Sequence, residues 1–179
     1  MSDPHQGDFI PRRSDACSDP VNDLLSRAAP EQQTLWRGLL QHAATATTAR
    51  PSTRWLKQAA TLVQPLGERC VAEAVQGVFT RTAQPARSSG RGVDHSRRSA
   101  DVPSDESATR LRGLLWLTTQ WTAGADLLRA ITAIALWAYR KLPGVGPRAV
   151  KVSNAAVFAL SRQPGTDAVG QLAVLKTRV

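Results

Sequence analysis

The side chains best placed to do chemistry stand in one loop, Leu-Pro-Gly-Val-Gly-Pro-Arg-Ala-Val-Lys at 142–151. Gly144 and Gly146 let backbone approach a ligand closely. Arg148 and Lys151 bring positive charge to the start of the following helix, where free amides and the helix dipole favour an anion such as phosphate. A nucleotide phosphate loop would end in Lys-Ser or Lys-Thr on a strand-to-helix turn, and this loop has neither. The same residues also have a plainer use. Pro143 and Gly144 stop the helix before them, and Gly146-Pro147 shapes a tight turn between helices.

Around this loop the chain runs from Arg129 to Arg162 without an acidic residue while carrying Arg129, Arg140, Lys141, Arg148, Lys151 and Arg162. On one face these six would make a basic stripe suited to phosphate backbones. The competing reading is an ordinary solvated surface whose acidic partners lie on neighbouring helices. The five tryptophans, Trp36, Trp55, Trp116, Trp121 and Trp137, could stack on bases. Trp36, Trp55 and Trp116 each adjoin a leucine of an apolar stripe, which points to packing instead, whereas Trp121 and Trp137 fall off the main stripes. Asn154 reads as a cap or a backbone partner opening a small-residue helix. Asp126 and Asp167 read as first-turn residues favoured by the dipole. No paired carboxylates and no Ser/His/Asp or Cys/His set emerge, so the sequence supports neither a catalytic residue nor a cofactor site.

These residues must be positioned by helices. Alanine and leucine outweigh β-branched residues in the periodic segments, which favours helix. The first helix is expected over about Val21–Ala29, with Asp19 as cap and Pro20 at its first position. Pro30 opens the second, whose Leu35, Trp36, Leu39, Leu40 and Ala43 line a single face. The third, from about Ser52 to Gln64, has Ser52 as cap, and the fourth is Glu68–Thr82. A fifth over about Ser107–Trp121 is capped by Asp105 or Ser107. The sixth, Ala125–Lys141, is the most apolar and should be covered from two sides. Helices over Ser153–Gln163 and Asp167–Val179 finish the chain, joined through Pro164-Gly165.

Residues 1–18 read as a disordered tail and 83–107 as a disordered insertion, because neither segment has periodic apolar residues to offset the entropy of ordering. Between and after them lie two helical halves, 19–82 and 108–179. Arg87, Arg91, Arg97 and Arg98 in the insertion would suit an RNA-contacting tail, but Asp94, Asp101, Asp105 and Glu106 interrupt them, and a solvated linker is the simpler account.

The chain has 179 residues, 23 of them basic and 14 acidic, for a net charge of +9. Such a field attracts polyanions, although the charge is scattered and only four of the 23 are lysine. Cys17 and Cys70 form no framework, and His5, His42 and His95 lie far apart. A disulfide or zinc site is therefore not expected, and the reducing cytoplasm is the natural compartment. The longest apolar run, Ala130–Tyr139, is ten residues, against about 20 for a membrane-spanning helix. The N-terminus lacks the apolar core of a signal peptide. No membrane partner is expected.

The fifth and seventh expected helices start about 45 residues apart, within the roughly 40–47 residues of HEAT-type helix pairs. The string Pro-Gly-Val-Gly-Pro-Arg-Ala-Val-Lys-Val-Ser-Asn-Ala-Ala-Val-Phe-Ala-Leu-Ser and its continuation Pro-Gly-Thr-Asp-Ala-Val-Gly-Gln-Leu-Ala-Val-Leu-Lys, preceded by Leu-Arg-Gly-Leu-Leu-Trp at 111–116, resembles an uncharacterised bacterial family of HEAT-like helical-repeat proteins. One member of that family is labelled a molybdate metabolism regulator. The likeness covers about residues 110–179. Family members look far longer, which implies a shortened member whose array ends without a polar capping helix. The family has no established catalytic residues to carry over.

The expected architecture is all-α: about eight helices in antiparallel pairs, forming a short HEAT-like solenoid or irregular bundle with a disordered insertion. The expected function is a non-enzymatic scaffold binding another protein through its terminal helix and concave face. Nucleic-acid backbone binding through the six basic residues is the alternative.

Overall fold

The computed structural model describes residues 18–84 and 102–179. Most of the expected tail (1–17) and of the expected insertion (85–101), with Cys17, His5, His95 and the four arginines of that insertion, lie outside the described residues. The elements in chain order are α1 (Ser18–Arg27), α2 (Pro30–Ala43), α3 (Thr53–Val63), α4 (Glu68–Ala83), α5 (Asp105–Leu117), a 3-10 turn (Thr118–Gln120), α6 (Ala125–Tyr139), β1 (Lys141–Leu142), β2 (Gly146–Pro147), α7 (Val150–Ser161) and α8 (Thr166–Arg178). The protein is all-α, with eight helices and one two-stranded hairpin among the described residues.

Local signals set most boundaries. The Ser52 hydroxyl accepts from the Trp55 amide at 3.1 Å, the expected cap of α3. Pro30 stands at the first position of α2. The cap of α5 is Ser104, whose hydroxyl accepts from the Ser107 amide at 3.1 Å. Asp105 and Glu106 fill the first turn, where the dipole favours acids. Residues 102–107, expected to belong to the insertion, are therefore the entry and first turn of a core helix. The start of α7 at Val150 places Asn154 inside the helix, so it is not the cap.

Alternate helices pack side by side. One row is α3, α5 and α7; the other is α4, α6 and α8. At the N-terminal end α2 lies on both α3 and α5, while α1 lies on α4. The rows meet where α7 packs against α6 and α8. In agreement with its apolar circumference, α6 is covered by α4, α7 and α8. The deepest element is α5, in which every residue from Ser107 to Leu117 is buried. Its Gly113 is required by packing, since a Cβ there would lie 2.2 Å from the Ala43 carbonyl oxygen of α2. By contrast α8 buries only Ala168 and Leu175. Among the described residues, no helix is long and apolar enough to cross a membrane.

The α6–α7 connection is more than a stop and a turn. Lys141 pairs with Pro147 and Leu142 with Gly146. Gly144 takes a positive φ of 77°, and the Val145 amide donates to the Leu142 carbonyl at 3.1 Å. Pro143 followed by Gly144 in that conformation is the chemistry of a type II turn. The ladder continues inward: the Arg148 amide donates to the Arg140 carbonyl and the Ala149 amide to the Ala138 carbonyl, both at 3.0 Å. The start of α7 is thereby fixed against the end of α6.

Candidate functional site

The hairpin end of the molecule holds a cleft of about 630 Å³. Its walls come from the loop after α2 (Ala49), the approach to α5 (Pro103), the first turns of α5 (Asp105, Ala108, Arg112) and the start of α7 (Arg148, Ala149, Val150, Lys151, Asn154). Among the described residues, three cationic side chains (Arg112, Arg148 and Lys151) and the Asp105 carboxylate line it.

Arg112 is only 8 % exposed. One terminal nitrogen, Nη1, donates to the Thr48 carbonyl at 2.6 Å and more weakly to the Thr47 carbonyl at 3.4 Å. Among the described residues its buried Nε finds no hydrogen-bond partner. The guanidinium carbon lies 5.8 Å from the centre of the Trp116 ring, within cation–π range. Trp116 meets Trp55 edge-on at 5.2 Å, and Trp55 stacks on His42 at 4.4 Å. The His42 Nε2 lies 3.0 Å from the Trp55 carbonyl oxygen, and the Trp55 indole donates to the Thr45 hydroxyl at 3.0 Å. This chain of rings ties α2, α3 and α5 together and holds the arginine from behind. Burial lowers the Arg112 pKa, an effect that the Asp105 charge opposes.

Arg148 is also 8 % exposed, with its guanidinium carbon 4.9 Å from the centre of the Trp137 ring of α6. Lys151 Nζ lies 2.5 Å from Asp105 Oδ1 and 3.2 Å from the Thr109 hydroxyl. The hydrogen bond from Lys151, and then its charge, hold the Asp105 carboxyl below its usual pKa. The α7 N-terminus has no side-chain cap; Ala149 occupies the capping position. A helix start of that kind leaves amide donors for an outside acceptor.

The six basic residues of the expected stripe divide into two groups. Arg140, Lys141, Arg148 and Lys151 gather at the hairpin, where α6 ends and α7 begins. Arg129 and Arg162 belong to the other end of this antiparallel pair, roughly 16 Å away at 1.5 Å per residue along each helix. Arg129 pairs with Asp126 of its own helix. Just beyond Arg162, Gln163 staples that far end: its carbonyl accepts from the Ala123 amide at 2.8 Å and its amide donates to the Thr118 carbonyl at 2.6 Å. Arg112 was not legible as a site residue, because its partners at Thr47 and Thr48 are more than sixty positions away.

Trp36 and Trp116 are core residues at 2 % and 1 % exposure, whereas Trp55, Trp121 and Trp137 pack against the core while partly exposed. Among the described residues no three His, Cys, Asp or Glu side chains group as metal ligands, and Cys70 is exposed. Compared with protein-family models, with curated proteins and with solved structures, the chain matches none.

Proposed function

We propose that the protein is a non-enzymatic helical scaffold that binds an acidic segment of another polypeptide at its hairpin end. One observation carries this reading: apolar and cationic surface occur together there. Val145 is 63 % exposed and Val150 50 %, and both stand among Arg140, Lys141 and Lys151. A segment mixing carboxylates with small apolar side chains would satisfy both kinds of surface. The terminal helix, expected to be the docking face, offers a weaker surface, with Val169 as its one large exposed apolar side chain within α8.

Fluorescence anisotropy of a labelled Glu/Val-rich peptide tests the proposal. Binding that drops about tenfold or more in an Arg140→Glu/Lys141→Glu double variant supports it. Binding unchanged in that variant overturns it. Nucleic-acid binding is the second reading, favoured by the +9 net charge. A single-stranded DNA bound more tightly than the peptide, with Arg129→Ala and Arg162→Ala weakening it as much as the hairpin substitutions, would replace the first reading with the second.

A further inference from the structure

We propose that the Lys151 ammonium is the subsite for a carboxylate of the partner segment, and that Asp105 occupies it in the free protein as an internal competitor. The inference rests on the hairpin-end reading above and deepens it, since it names both a contact and a brake on that same surface.

The contact joins two elements. Asp105 stands in the first turn of α5 and Lys151 in the first turn of α7, 46 positions away, and both line the cleft. Lys151 Nζ lies 2.5 Å from Asp105 Oδ1. The two partners are held unequally, for the Asp105 side chain is 87 % exposed and that of Lys151 only 29 %. Water can therefore solvate the carboxylate once it lets go. Its seat in the first turn of α5 keeps it beside the positive end of that helix in either case. Release costs the protein little, as befits an exposed pair.

The ammonium, by contrast, is held without Asp105's carboxylate. The Thr109 hydroxyl donates to the Asp105 main-chain carbonyl at 2.7 Å, and its oxygen accepts from Lys151 Nζ at 3.2 Å. Thr109 is buried, so this second contact is sheltered. An ammonium carries three N–H groups. With one on Thr109, the others meet whichever carboxylate reaches the edge of the cleft. The neighbouring Val150 is half exposed, which sets apolar surface one residue from the cation. A Glu or Asp beside a small apolar side chain matches that pairing. The partner's carboxylate takes the seat by exchange: one ion pair breaks as another forms, so the competitor lowers affinity without abolishing it.

Fluorescence anisotropy of the labelled Glu/Val-rich peptide on the full chain and its variants tests the exchange. Asp105→Asn is expected to tighten binding about threefold to fivefold, and Lys151→Gln to weaken it about threefold. The double variant Asp105→Asn/Lys151→Gln decides the mechanism. If Asp105 acts by occupying Lys151, its removal gains nothing once Lys151 is gone, and the double variant binds as Lys151→Gln does. A gain of equal size in both backgrounds marks a general charge effect and overturns the proposal. Asp105→Asn binding no tighter than the wild type overturns it too. Peptide that binds the wild type and is lost in Arg140→Glu/Lys141→Glu, yet is indifferent to Asp105→Asn, leaves the hairpin reading standing without the brake. Peptide bound by neither the wild type nor Asp105→Asn removes both.

Discussion

Helices α5 and α8 are each thirteen residues long, and they have opposite fates. From Ser107 to Leu117, α5 is buried on every side, including Arg110 and Arg112. On α8 the buried positions are Ala168 and Leu175, and Lys176 and Arg178 point to solvent. Composition does not separate them, since each mixes apolar residues with two cations. Their neighbours do. α5 is flanked in its row by α2 and α3 on one side and α7 on the other, whereas α8 packs on α6 and α7 alone. A polar face is therefore a solvent face only at the end of a row. In the middle it becomes the lining of a cleft.

The sharpest way to break this comparison is a single methyl group placed in each helix. Gly113→Ala puts a Cβ into the Ala43 backbone, and urea denaturation should show a loss of about 3 kcal/mol, near the top of the usual overpacking range. A tolerated methyl there would mean that α2 and α5 do not cross as described. Next in size is Gln163→Ala, which leaves the Ala123 amide and the Thr118 carbonyl without their partner. A destabilisation of about 1–3 kcal/mol is expected, with early hydrogen exchange at the Ala123 amide.

The counterpart of the first substitution is Gly170→Ala on α8, where a new Cβ meets nothing within 4 Å. Its sign should reverse, raising stability by about 0.5–1 kcal/mol through helix propensity. The smallest effect belongs to Asp105→Asn. Asp105 has a lowered folded-state pKa, so the Lys151 contact contributes above the ordinary carboxyl range and is lost as pH falls through the folded value. The wild type should exceed the variant by less than about 1 kcal/mol at pH 7, as for exposed pairs. That margin should vanish in acid, below the reference value of 3.8.

Much of the fold could be read from the sequence because its signals are local. Apolar residues at three- and four-residue spacing gave the eight helices, and Pro30, Ser52 and Pro164-Gly165 punctuated them. The cleft was legible only in part. Arg148 and Lys151 drew notice through their place before a helix, and the acidic partner of Lys151 does lie on a neighbouring helix. Arg112 gave no signal, because a single arginine between Leu111 and Gly113 carries no local mark of what will pack around it. What makes it a site residue is the arrival of Thr48, Trp116 and the start of α7, contacts that depend on packing. The strand pairing around Val145 was hidden for a related reason: Leu-Pro-Gly-Val at 142–145 serves equally as a helix stop and as a type II turn.

The most direct test of where this scaffold binds is a 15N-resolved NMR titration of the full chain with the Glu/Val-rich peptide. The account predicts shift changes concentrated at residues 103–112 and 140–154, with α8 unperturbed. Changes concentrated along α8 around Val169 and Ala173, with the hairpin silent, would contradict it.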